Sequence, residues 1–436
     1  MRMYETETRR EKFILISAEG DARNEDAEDC LRELALLVDT SGGEAVGQLL
    51  QRREAAHPGH YLGKGKIEEL SDLINETGAD GIVADDELTP AQQRNMAKML
   101  GVKILDRTMV ILDIFAGRAS SAEGKAQVEL AQLQYQLSHL SGIGIQLSRQ
   151  AGGGGIRGGG IGTRGPGEKK LETDRRHIRS RIDQLKREIN EIKDGRAVLR
   201  KKREASAIPV VSLVGYTNAG KSTLMNALTS AGVFAEDKLF ATLDTTTRRL
   251  ALSGGTEILL TDTVGFIHKL PHHLIQAFNA TLEELKFADV LLHVVDFANP
   301  AYPEQMSVAY QLLSKLGCTG KPIVTAFNKK DAVSEEDVKR SPTDANAAAC
   351  VPISARTGEN IPELLDAVEK ILQSMRNKIS VLIPYGEGKW VRFAHEKCEI
   401  ISEEHTEEGT KLSAYADAES AKILERFAIQ GNDLIS

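Results

Sequence analysis

Gly215, Tyr216, Thr217, Asn218, Ala219, Gly220, Lys221 and Ser222 form one run with the residue types and spacing to act on a phosphate. Glycine, four residues, then Gly-Lys-Ser is the P-loop spacing. Gly215 and Gly220 permit backbone angles and close approaches that a side chain would block. Successive N–H groups then turn toward phosphate oxygens at the start of a helix, where the dipole adds positive charge. Lys221 is the catalytic cation, with reach to the β- and γ-phosphates, and the Ser222 hydroxyl is a Mg²⁺ ligand.

Three later clusters extend this chemistry. Phe240, Ala241, Thr242, Leu243 and Asp244 lie between the P-loop and the next acidic motif. A threonine there completes the Mg²⁺ ligands through its hydroxyl and senses the γ-phosphate through its backbone, which assigns Thr242 to metal and catalysis. Asp262, Thr263, Val264 and Gly265 follow about forty residues after Lys221. Asp262 stands behind the direct metal ligands, and the Gly265 N–H faces the γ-phosphate as the third catalytic group. Asn328, Lys329, Lys330 and Asp331 read the base. A buried Asp331 carboxylate accepts from guanine N1–H and the 2-amino group, and adenine would leave it unpaired. Lys329 lies along the base, and the backbone of Ser354 and Ala355 meets guanine O6. The nucleotide is therefore GTP or GDP.

Such motifs work only at the carboxyl ends of strands. Apolar runs at 208–214, 258–260, 290–295, 323–327 and 351–353 supply those strands, and Leu364, Leu365, Val368, Ile371 and Leu372 give a closing helix its apolar face. Upstream, strands at 13–16, 45–50, 81–85 and 102–105 alternate with helices at 26–38, at 66–74 and from Thr89-Pro90, which indicates a mainly parallel sheet. Tyr61-Leu62-Gly63-Lys64-Gly65-Lys66 has phosphate-binding residue types but reads better as a turn before a helix. Asp85-Asp86-Glu87 could hold a cation, but reads better as acidic residues favouring the next helix dipole.

Residues 108–140 read as one long helical pattern, and 168–203 as another. Between them lies a segment, 152–167, with ten glycines in sixteen residues. This is a helical hairpin with a glycine-arginine connection. From 157 to 203 there are 16 Lys/Arg against 7 Asp/Glu. Arg157, Arg164, Lys169, Lys170, Arg175 and Arg176 are the RNA-binding candidates: a pliant loop approaches a phosphate backbone closely, and guanidinium groups stack on bases or bridge phosphates. The plainer alternative is a solvated coiled-coil face joined by a linker.

The whole chain has 436 residues and a net charge of −8, so the basic hairpin is a local feature. No run is apolar enough to span a membrane and the first residues hold no signal-like core. Cys30, Cys318, Cys350 and Cys398 are scattered without a C-x-x-C, as reduced thiols in a cytoplasmic protein would be. The fold class expected is multidomain α/β: an N-terminal α/β domain at 1–110, the helical hairpin at 111–205, a P-loop GTPase domain at 206–376 with a mostly parallel sheet and helices on both faces, and a small α+β C-terminal domain at 377–436.

In that order, with Ile161-Gly-Thr163-Arg164-Gly-Pro166-Gly-Glu168 in the loop, the P-loop octet, Phe240–Asp244 and Asp262–Ile267, the chain resembles the HflX family, in the Obg-HflX group of P-loop GTPases. The resemblance covers essentially the whole chain, although the family often has Pro where Thr245 stands. It implies a cytoplasmic GTPase that binds the large ribosomal subunit and splits or rescues stalled or stressed ribosomes, with the hairpin loop near the peptidyl-transferase centre. Some related GTPases use an asparagine at the position of Asn218 to hold K⁺; the alternative is a local loop brace. Ras-like enzymes orient water with a glutamine where this chain has Phe266, so slow intrinsic hydrolysis, stimulated by the ribosome, is expected of a monomer. Two rivals remain: a regulatory GTPase that recruits a protein partner, and an ATP-using RNA remodeller with a second nucleotide site in the N-terminal domain.

Overall fold

The computed structural model describes residues 9–19, 24–52, 55–151, 166–204, 208–229, 239–240, 246–269, 283–334, 336, 338, 342–375, 377–416 and 418–429. The chain divides into two compact units that do not follow chain order. The first takes Met1–Ile192 together with Glu236–Asp244 and Val264–Thr281. The second takes Lys193–Ala235, Thr245–Thr263 and Leu282–Ser436.

In the first unit, strands β1 (Lys12–Glu19), β2 (Glu44–Arg52), β3 (Gly81–Ala84) and β4 (Lys103–Asp106) form a parallel sheet in the order β2-β1-β3-β4. Helices cover both faces, so the central strands β1 and β3 are buried on both sides. From β1, Phe13 and Leu15 pack with α1 (Asn24–Thr40) and α4 (Arg107–Arg118), while Ile14 and Ile16 pack with α2 (Lys64–Thr77) and α3 (Pro90–Leu100). Thr89 caps α3 as its sequence indicates: its hydroxyl accepts from Gln92 N, and Gln92 Oε1 accepts from Thr89 N. The 61–66 segment is indeed a turn into α2, with Gly63 at the cap and Tyr61 and Leu62 buried.

The long helical pattern at 108–140 is in fact two helices, α4 and α5 (Ala122–Ala151). The α4 helix stops at Ala119, whose backbone is extended, and the Ser121 hydroxyl accepts from Gly124 N at 2.8 Å to start the next. The apolar periodicity on either side concealed that serine cap. Helix α5 then runs beside α6 (Pro166–Glu204), with Leu130, Leu133 and Leu137 packed on Ile178, Ile182, Leu185 and Ile189. The glycine-rich loop between them lies outside the described residues.

The second unit holds a six-stranded sheet in the order β10-β9-β8-β5-β7-β6. Its strands are β5 (Val210–Gly215), β6 (Thr246–Ala251), β7 (Glu257–Asp262), β8 (Val290–Asp296), β9 (Ile323–Asn328) and β10 (Ala349–Pro352), and only β6 runs antiparallel. Helices α7 (Lys221–Thr229), α8 (Tyr302–Lys315) and α9 (Ile361–Met375) belong to this sheet. Val211, Leu213, Leu292, Val294 and Val324 are wholly or almost wholly buried, each worth about 1.5–3 kcal/mol of transfer free energy. Beyond it, β11 (Asn377–Ile383), β12 (Glu399–Thr406) and β13 (Gly409–Ala416) form an antiparallel sheet with α10 (Gly388–Lys397) and α11 (Ala418–Leu424). Strands β6 and β12 and helices α8 and α10 went unread in the sequence. Both strands are sheet edges, and their polar residues disguise them.

Candidate functional site

Strand β5 ends at Gly215 and α7 starts at Lys221, so the P-loop bridges a buried strand and a helix N-terminus. Both glycines are required. At φ +147° a Cβ on Gly215 would lie 2.2 Å from the Val294 carbonyl oxygen, and at φ +93° a Cβ on Gly220 would lie 2.1 Å from Asn328 Nδ2. Asn218 also takes a left-handed backbone, at φ +60°. Lys221 is 7% exposed, and its Nζ donates to the Gly215 carbonyl at 3.0 Å and the Tyr216 carbonyl at 2.7 Å. Burial pushes its pKa down to about 8, against the pull of the Asp262 carboxylate. A buried ammonium strapped across the loop carbonyls is suited to accept a polyanion.

Ser222 Oγ donates to Asp262 Oδ2 at 3.1 Å. Asp262 ends β7, and its other oxygen accepts from Thr263 N at 2.9 Å. The Thr263 hydroxyl donates to the Leu213 carbonyl at 2.6 Å and fixes the end of β7 to β5. A hydroxyl and a carboxylate thus converge at the helix start, the hard oxygen donors that Mg²⁺ prefers. Thr217 Oγ1 is buried with no hydrogen-bond partner among the described residues. The site therefore fits a phosphate-bound divalent cation.

Asn328 joins the phosphate loop to the base-reading loops. It is almost fully buried at the end of β9. Its Nδ2 donates to the Ala219 carbonyl at 2.8 Å, and its Oδ1 accepts from Ala355 N at 2.9 Å. Lys329 turns the chain in the left-handed region, φ +65°, and its Nζ lies 2.7 Å from Asp296 Oδ2. Lys330 pairs with Glu359. Asp331 accepts from the Ser354 hydroxyl at 2.6 Å and from Arg356 Nη2 at 2.5 Å. The serine hydrogen bond, helped by Arg356, holds the carboxyl below its ordinary range. Its side chain is 16% exposed on a residue that is otherwise at the surface, so the base edge is less enclosed than the sequence led us to expect. Arg356 and Glu359, which brace this corner, were not found in the sequence; the Ser354-Ala355 motif just before them was the available pointer.

Ala241, Thr242, Leu243 and Asp244 lie outside the described residues. Phe240, Val264 and Gly265 belong to the first unit. The Phe240 ring, 2% exposed, meets Phe115 edge-on with centroids 4.7 Å apart, in a core that includes Val264 and Ile267. That packing leaves Phe240 only its backbone for a ligand. Phe266 is fully buried and offers no hydrogen-bonding group to a water.

The RNA candidates divide. Arg157 and Arg164 lie outside the described residues, as do the side chains of Lys169 and Lys170 on α6. Arg175 is partly buried, with Nη2 donating to the Leu140 carbonyl at 2.7 Å, so it braces the hairpin. Arg181 likewise grips Glu129 with two bonds of 2.7 and 2.8 Å. Arg176, Arg179, Lys186 and Arg187 remain exposed along α6. Among the described residues no helix is long and apolar enough to cross a membrane.

Three family descriptions match the chain in succession: GTP-binding GTPase N-terminal over residues 28–116, GTP-binding GTPase Middle Region over 118–203 and 50S ribosome-binding GTPase over 210–329. GTPase HflX of Lacrimispora saccharolytica is 51% identical over 409 residues, covering 94% of each chain. GTPase HflX of Caldanaerobacter subterraneus is 45% identical over 420 residues, covering 96% of this chain and 94% of its own. The Escherichia coli GTPase HflX is 40% identical over 391 residues, covering 90% of each.

Proposed function

Because the chain belongs to the HflX family of GTPases, and is therefore a GTP hydrolase, we propose that it is a GTP-driven switch acting on the large ribosomal subunit in the cytoplasm. The observation that supports the nucleotide side of this reading is the double hydrogen bond of Asn328, which ties the phosphate loop to the Ser354-Ala355 loop so that one nucleotide can meet both. Lys221 would turn from the loop carbonyls to the β- and γ-phosphates. Asp331, already ionised, would receive the guanine edge beside Lys329. Ser222 and Thr242 would hold Mg²⁺, with Asp262 fixing the serine hydroxyl; when bound, the metal draws charge off the β- and γ-phosphates. Thr242 and the Gly265 N–H would hold the γ-phosphate, and their release after hydrolysis would relax both segments.

The exposed basic face of α6 and the loop at 152–167 would engage rRNA in a salt-dependent manner. Splitting or rescue of stalled ribosomes follows if the loop inserts where other ligands bind. With Phe266 unable to orient water, turnover waits on the ribosome. The test is GTP turnover with and without large subunits, in sodium and in potassium buffer, with the loop intact and shortened. Strong stimulation that fades with the shortened loop supports the reading. Unstimulated turnover in both buffers refutes it, and a gain confined to potassium that Asn218→Ala abolishes would place the ion at Asn218.

A further inference from the structure

The first sheet changes direction between β1 and β3, because β2 lies on one side of β1 and β3 on the other. The crevice at the carboxyl ends of two such strands is where open α/β sheets take their ligands. Here its wall is acidic. Asp85, fully buried, and Asp86 follow β3, and Tyr61 spans the gap: its hydroxyl accepts from Ala18 N at 3.0 Å, near the end of β1, and donates to Asp86 Oδ2 at 2.6 Å. Arg107 enters from the start of α4 and bonds Asp85 Oδ1 at 2.5 Å, but Glu33 of α1 also claims it. Two carboxylates, Asp85 and Glu33, meet this guanidinium, and Asp86 adds a further negative charge beside Asp85.

We propose that this crevice is a docking site for the segment that follows Asp262-Thr263-Val264-Gly265, with the Lys269 ammonium as its ligand. Lys269 Nζ lies 2.7 Å from Asp85 Oδ2 and 3.0 Å from Asp86 Oδ1. The sequence offered a cation and a helix-dipole role for these acids; the side chains that meet them are Arg107 and Lys269 on Asp85, and Tyr61 and Lys269 on Asp86. Two features mark Lys269 as seated, not adventitious. Its backbone is left-handed, φ +53°, a conformation that a lysine holds only where its surroundings fix it. The residues before it are anchored too: Val264 and Ile267 in the α1–α4 core, and His268 Nδ1 at 3.5 Å from Cys30 Sγ. Burial works against the ammonium charge, but Asp85 and Asp86 outweigh it and hold the pKa above the ordinary lysine value. Movement of the Val264–Lys269 segment must therefore stretch or break this pair, and the N-terminal sheet restrains that segment within its own unit.

The test is amide hydrogen exchange across 264–269 in the full chain, with GDP bound. Asp85 is too deeply buried to alter safely, so the variants are Lys269→Met, Lys269→Arg, Asp86→Asn and the Met/Asn double. The expected result is a rise of about tenfold in exchange for Lys269→Met and for Asp86→Asn, no further rise in the double, and parent-like protection in Lys269→Arg. Additive effects in the double, or exchange within twofold of the parent in Lys269→Met, would overturn the proposal. So would equal exposure in Lys269→Arg and Lys269→Met, since the site would then be selecting shape and not charge.

Discussion

Gly220→Ala is the sharpest single perturbation of the phosphate site. Alanine at φ +93° carries a strain of about 1–2 kcal/mol. Its Cβ would stand 2.1 Å from Asn328 Nδ2, with the asparagine packed behind it, so Asn328 must move. Moving it breaks the bonds to Ala219 and Ala355, at about 1 kcal/mol each. Together these give a loss of about 3–4 kcal/mol. Where the loss falls on the bound state, GDP affinity drops by about a hundredfold or more. Gly255→Ala is the control. Gly255 has φ +85° but open space around its Cβ direction, so strain alone, about 1 kcal/mol, is expected and GDP binding should be untouched. Fluorescent-GDP titration and urea unfolding of both variants decide the matter. Gly220→Ala binding GDP within threefold of the parent, or Gly255→Ala weakening it equally, would refute the claim that Asn328 couples the two loops.

Two pH dependences follow from buried bases. With the Lys221 pKa at about 8 in the ligand-free site, a neighbouring phosphate raises it and binding takes up a proton. Affinity for GDP should therefore be level below pH 8 and fall about tenfold per unit above it, read by calorimetry in two buffers of different ionisation enthalpy; a flat profile to pH 9.5 rules this out. His293, buried on β8 and edge-on to Tyr310, is pushed down to about 4 by burial, with Lys221 adding to the effect and Asp344 opposing it. Because an unfolded histidine titrates near 6.5, stability is complete above that pH and is lost as pH falls from 6.5 toward 4, by at most about 3 kcal/mol. Thermal unfolding of His293→Phe should show a shallower acid slope, and an unchanged slope would remove His293 as the cause.

The parts of the site that were legible in the sequence are those fixed by local backbone demands. Gly215, Gly220, Lys221 and the Asn328–Asp331 run occupy strand ends where few residue types serve. The apolar runs before them revealed the central strands for the same reason. Ser121 escaped because a cap of one residue interrupts an apolar period that looks continuous. Strand β12 escaped because an exposed edge needs no apolar face. Lys269 could not have been read at all: its partner Asp85 is 184 residues away, and nothing in its neighbourhood marks it as half of an ion pair. Phe240 is the converse case. Its motif assigned it to the nucleotide, and packing against Phe115 gave the ring a different task.

The core shared by Leu31, Val110 and Phe115 takes in Leu239, Phe240, Val264 and Ile267, so the first unit cannot close when its own hairpin leaves the ribosome. The chain must continue from Ile192 through Thr281, an interval on the order of ten seconds at ordinary elongation rates. During that time an apolar surface on α1 and α4 waits for residues not yet made. A nascent chain stalled before about residue 281 would be a substrate for chaperones, and a fragment ending at the hairpin should be prone to aggregate even though its sheet is complete.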